Sequence, residues 1–100
     1  WEGFALDVVW RSIGKADEQA YFWATHSGAE VDLFWQHDGA SWACEFKYRD
    51  APTLTKSMLS ALTSLDLAKL WVIYPGRTQY HIHEKVEALP LQNIPGYWEY

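Results

Sequence analysis

Residues 29–48, AEVDLFWQHDGASWACEFKY, decide the fold. Val31, Leu33 and Trp35 alternate with Glu30, Asp32 and Phe34. After a break, Trp42, Cys44, Phe46 and Tyr48 alternate with Ala43, Glu45 and Lys47. A period of two is the signature of strands, whose successive side chains point to opposite faces. Asp38-Gly39 between the runs is a strong two-residue hairpin signal, because both positions tolerate positive φ. A two-residue loop there predicts Asp32 directly opposite Glu45 and Glu30 opposite Lys47, with all four on one face.

Working outward, AYFWAT (20–25) is dense in aromatic residues and reads as a short buried strand. Before it, Phe4, Val8 and Val9 recur at helical spacing, with Leu6, Trp10 and Ile13 widening the apolar side and Gly14 as a stop. This predicts a helix over 2–13. On the other side, RDAPT (49–53) is a turn, and Leu54, Met58, Leu62 and Leu65 mark a helix over about 54–66, with Thr53 or Thr55 able to cap it. KLWVIYPG gives a buried strand at 69–75 that ends at Pro-Gly. QYHIHE (79–84) and VEALPL (86–91) read as short peripheral strands. The expected architecture is one α/β (α+β) domain over residues 1–100. Three antiparallel strands follow the first helix, and the second helix leads to a further strand parallel to the one it joins.

Composition narrows the function. The chain has 100 residues, of which 49% are hydrophobic and 17% aromatic, including seven Trp, so it has the material for a packed core and is not a disordered chain. No run approaches the roughly 20 apolar residues that cross a bilayer, so no membrane partner is expected. One cysteine excludes an internal disulfide and a cysteine-rich zinc site, and it fits a reducing, cytoplasmic setting. A net charge of −5 is the wrong sign for a nucleic-acid binder that relies on bulk electrostatics, although carboxylates that hold a metal would contribute to it. The start at Trp1, without an initiator Met, reads as a fragment of a larger protein.

Opposed carboxylates repel, and a sheet has no structural use for them. A divalent cation would compensate. Two carboxylates and the carbonyl between Glu45 and Lys47 are hard oxygen donors that suit Mg²⁺ or Mn²⁺, ions that complete their shell with water and substrate phosphate. Lys47 beside such an ion would orient or deprotonate a water, or stabilise phosphate charge. These are the parts of a metal-dependent phosphodiester hydrolase. The competing reading is plain: charged residues that alternate with apolar ones are the solvated face of a hairpin, and Glu30–Lys47 is an ordinary cross-strand ion pair.

GAEVDLFW...ACEFKY resembles the signature of the PD-(D/E)XK nuclease superfamily, an Asp on one strand followed by Glu-x-Lys on the next. The longer run through DAPTLTK to LWVIYPG looks like one branch of it. That branch is the DUF4143 domain, found C-terminally in prokaryotic AAA-type ATPases, and the likeness covers residues 1–91. The resemblance implies an αβββαβ restriction-endonuclease-like core, with Asp32, Glu45 and Lys47 as the catalytic triad. Asp32, Glu45 and, from the first helix, Glu2 would be the metal ligands for Mg²⁺ or Mn²⁺. Glu30, Thr55 and Lys56 match recurrent positions of the branch. His26, in the THSGAE turn before the acidic strand, is a further accessory candidate that faces substrate. The implied partners are an N-terminal ATPase domain and DNA or RNA. The alternative is a non-catalytic binding or regulatory module attached to that ATPase.

The remaining features are weaker. His81 and His83, at i and i+2, lack a third ligand and read as surface residues. Cys44 alternates with Trp42 and Phe46 and reads as core. SIGK (12–15) lacks a phosphate-binding glycine loop. Trp23, Trp35, Trp42 and Trp71 read as packing residues. Trp1, Trp10 and the 94–98 tail, including Trp98, are expected to expose an apolar patch, a contact with the rest of the parent protein or between two copies of this piece.

Overall fold

A computed structural model describes residues 1–13, 20–22, 31–95 and 97. The elements run α1 (Glu2–Ile13), β1 (Ala20–Phe22), β2 (Leu33–His37), β3 (Ala40–Phe46), α2 (Lys56–Ser64), β4 (Leu67–Tyr74), β5 (Tyr80–His83) and β6 (Val86–Pro90). A short 3₁₀ turn, Leu91–Asn93, follows. Among the described residues the strands form one mixed six-stranded sheet in the order β1-β2-β3-β4-β6-β5. The first three make an antiparallel meander, and β4 lies parallel to β3, as the sequence predicts. β6 is parallel to β4 because β5 takes the chain back along the sheet edge. The carboxyl ends of β3, β4 and β6 therefore share one end of the sheet.

The hairpin has the expected two-residue loop. Asp38 (φ 58°) and Gly39 (φ 78°) both take positive φ, the twist that suits a tight hairpin. Pairing then runs in register from His37–Ala40 to Leu33–Cys44. The first departure from the sequence reading comes one residue further. The Asp32 N–H donates to the Cys44 carbonyl at 3.0 Å, where an unbroken ladder would set Asp32 against Glu45. Direct opposition of Asp32 and Glu45 is thus corrected to a slipped arrangement outside the ladder. The slip also moves Val31, which packs with Phe34 rather than sharing a face with Leu33 and Trp35.

Each face of the sheet carries one core. On one, Ala5 and Val9 of α1 pack on Leu33, Trp35, Cys44, Phe46, Trp71 and Ile73. The helix docks through Ala5 and Val9, flanked by Leu6 and Val8, and Phe4, expected among its docking residues, is 65% exposed. The indoles of Trp35, Trp71 and Trp42 stack in sequence, each neighbouring pair 5.7 Å apart. On the other face, Met58 and Ala61 of α2 cover Ala43, Leu70, Val72 and Val86. Thr55 caps α2, its hydroxyl accepting from the Met58 N–H at 3.2 Å, so the helix starts at Lys56 and leaves Leu54 outside it. Coverage on both sides explains the nearly continuous apolar runs of β3 and β4.

Candidate functional site

Asp32, Glu45 and Lys47 gather where β2 begins and β3 ends, because antiparallel pairing brings those two points together. Asp32 is half-buried, and its Oδ2 accepts from the Phe46 N–H at 2.7 Å. The carboxylate thus sits over the backbone of the next strand, satisfying an amide of a residue that is itself buried. Glu45 is 7% exposed, and Lys47 places its Nζ 3.5 Å from Glu45 Oε1 while staying half in solvent. The two share a face as i and i+2, and the Lys47 N–H is anchored to the Ile73 carbonyl at 2.9 Å. The Asp32 charge is felt next door. Burial pushes the Cys44 thiol well above its ordinary pKa, and Asp32 adds to the rise. Cys44 is a core residue, as its alternation predicted.

Other candidates lie further apart. Glu45 and Lys47 alternate with Cys44 and Phe46, so they project from the face that α2 covers, whereas Glu2 opens α1 on the opposite face and is exposed. Lys56 is exposed at the start of α2 and Thr55 is committed to its cap. Glu30 and His26, with the predicted Glu30–Lys47 pair, fall outside the described residues, as does Trp98. His81 is exposed, and His83 accepts through Nδ1 from the Lys85 N–H at 3.2 Å.

Among the described residues no group of three or more His, Cys, Asp or Glu side chains is placed to hold a metal ion. Asp32 and Glu45 are nevertheless hard oxygen donors at one end of a hairpin, a donor set that fits Mg²⁺ or Mn²⁺ more closely than Zn²⁺.

A second polar cluster escaped the sequence reading. Glu87 on β6 is 4% exposed, paired in register with Trp71 and bonded to Lys69 and Gln79, with His81 Nε2 at 4.0 Å. The Lys69 ammonium lies 5.2 Å from the centroid of the Trp71 ring. Burial pushes the Glu87 carboxyl up, but hydrogen bonds from Lys69 and Gln79 and the charges of Lys69 and His81 outweigh it and leave it below its ordinary value. The one signal in the sequence was a lone charge in the otherwise apolar run VEALPL.

The family model described as "Domain of unknown function (DUF4143)" matches residues 1–94. The chain belongs to the DUF4143 family. This DUF4143 chain is 35% identical over 94 residues to the uncharacterized protein Mb2031c of Mycobacterium bovis, and equally so to the uncharacterized protein Rv2008c of Mycobacterium tuberculosis. The match takes in 94% of this chain and 21% of each relative, so the chain spans about a fifth of the length of these curated relatives. No solved structure matches it. Among the described residues no helix is long and apolar enough to cross a membrane.

Proposed function

We propose that this DUF4143 domain is a nuclease-like module for metal-dependent phosphodiester hydrolysis, of the PD-(D/E)XK kind. The supporting observation is that the Lys47 ammonium lies 3.5 Å from the Glu45 carboxylate while Asp32 of the neighbouring segment accepts from the N–H of Phe46, the residue between them. In this reading Asp32 and Glu45 hold Mg²⁺ or Mn²⁺, which when bound supplies Lewis acidity toward a phosphate oxygen. Lys47 orients the attacking water or offsets charge on the phosphate, and its contact with Glu45 fixes where its ammonium sits. Glu2, Glu30, His26 and Lys56 are accessory candidates. In the longer parent protein the partners would be an ATPase domain and DNA or RNA.

A second reading is favoured by a specific observation. One Asp32 oxygen already satisfies the Phe46 amide, so this carboxylate has a structural task that needs no metal. On that account the domain is a binding or regulatory module. The two readings separate by calorimetric titration of Mn²⁺ into the full-length protein, its Glu45→Gln variant and its Lys47→Ala variant, alongside cleavage of DNA and RNA. Hydrolysis predicts saturable binding that is lost in E45Q, retained in K47A, and accompanied by cleavage only in the wild type. An absence of metal binding and of cleavage would leave the binding module as the function.

A further inference from the structure

A groove of about 420 Å³ opens at the carboxyl ends of β4 and β6, against the first turns of α1. Trp1, Phe4, Pro75, Leu91 and Pro95 wall it, and Arg77 stands at its rim. Crevices outside the carboxyl ends of parallel strands are where open α/β sheets bind ligands. Three exposed aromatic rings form the approach. Phe4 is 65% exposed and Trp1 37%, and the Trp1 ring lies 5.4 Å from that of Tyr48, itself 73% exposed. Tyr48 directly follows Lys47, but its ring meets Trp1 on the α1 side while Lys47 turns to the α2 side, so this aromatic surface meets the candidate hydrolytic site across the end of β3. Arg77 is exposed, and among the described residues it joins no ion pair.

We propose that this surface binds an unpaired nucleic-acid strand, with bases stacking on Tyr48, Trp1 and Phe4 and a phosphate meeting Arg77. The inference rests on the phosphodiester reading of the neighbouring site and specifies its substrate class as single-stranded. Stacking platforms need base faces, which a duplex conceals and a single strand offers. A groove of this volume accommodates a nucleoside-sized group and not a double helix. Arg77 supplies the positive charge that apolar walls lack. Because the chain as a whole is acidic, at −5, the contact depends on this local cation and weakens with salt.

The test uses the full-length protein in EDTA, so that binding is read without turnover. Fluorescence anisotropy is measured with labelled oligo(dT) and oligo(U) twelve-mers and with a duplex of equal length. The proposal expects both single strands, or one of them, to bind more tightly than the duplex. Phe4→Ala and Tyr48→Ala should each weaken single-strand binding about tenfold. Arg77→Gln should reduce the slope of log affinity against log salt by about 0.7, the value for one phosphate contact on a single strand. All three side chains are exposed, and unchanged melting of the variants confirms that folding is intact. Preference for duplex, or failure to bind either single strand, overturns the proposal. A metal-dependent cleavage assay on the wild type separates the two claims. Binding that depends on Phe4 and Arg77 without cleavage keeps this proposal and removes hydrolysis. Cleavage with binding indifferent to both substitutions keeps hydrolysis and removes this proposal.

Discussion

Removing the Asp32 carboxylate separates its backbone role from any metal role. Asp32→Ala leaves the Phe46 amide without its 2.7 Å acceptor at a residue that is 6% exposed. A hydrogen bond to a charged group contributes about 1.5–3 kcal/mol net, and stranding a buried donor costs a similar amount. Asp32 is half-buried, so water can reach part of the vacated space, and about 2 kcal/mol is the expected loss. For a domain of this size that is a fall in Tm of about 10 °C. Asp32→Asn keeps an oxygen acceptor and abolishes the charge, and should lose less than half as much. The assay is thermal and urea unfolding of wild type and both variants in EDTA, repeated in millimolar Mn²⁺. Simple repulsion between Asp32 and Glu45 predicts the opposite sign, a more stable apo D32A. The slipped register argues against that sign, because it has turned the carboxylate toward the β3 backbone. An Asp32→Ala variant that melts at or above the wild type in EDTA would refute the capping argument.

Glu87 links stability to pH. Its folded pKa lies below the ordinary value, so its contribution is complete above the unfolded carboxylate range and is lost as pH falls through the folded value. Glu87→Gln should therefore be less stable than wild type near neutrality, with the two urea midpoints converging below about pH 4. At Gly76 a side chain would overlap the ring of Tyr74, which is buried and tied through its hydroxyl to the Thr78 carbonyl. Gly76→Ala should cost about 1–3 kcal/mol through the displaced ring, read as a lower unfolding midpoint. Cys44 is fully buried with its thiol pKa raised, so Ellman's reagent at pH 8 should label it only at the rate of unfolding; immediate labelling would contradict its place in the core.

Local chemistry made much of the fold legible. Period-two alternation and Asp38-Gly39 determined the hairpin and its loop, since a loop of two positive-φ residues leaves one register. Helical spacing located α1 over 2–13, and of the two threonines, Thr53 and Thr55, that the sequence offers as caps for α2, the structure uses Thr55. The Glu45–Lys47 contact followed from being i and i+2 on one strand. Each of these depends on neighbours a few residues apart, which periodicity can see.

What needed the tertiary structure depends on partners far along the chain. Asp32 leaves the ladder because a carboxylate can serve the Phe46 amide fourteen residues away, an option that alternation does not encode. Phe4 faces outward because α1 docks through Ala5 and Val9, which join the buried cluster that includes Trp35 and Trp71. Glu87 is buried as an ion because β6 comes to lie beside β4, where Lys69 waits across the strands. The sequence by itself thus determined which elements form and which residues share a strand face. Tertiary packing decided which charges are buried, which aromatic rings stay exposed, and that two carboxylates read as opposed are offset, because those outcomes turn on long-range hydrogen bonds and burial rather than local spacing.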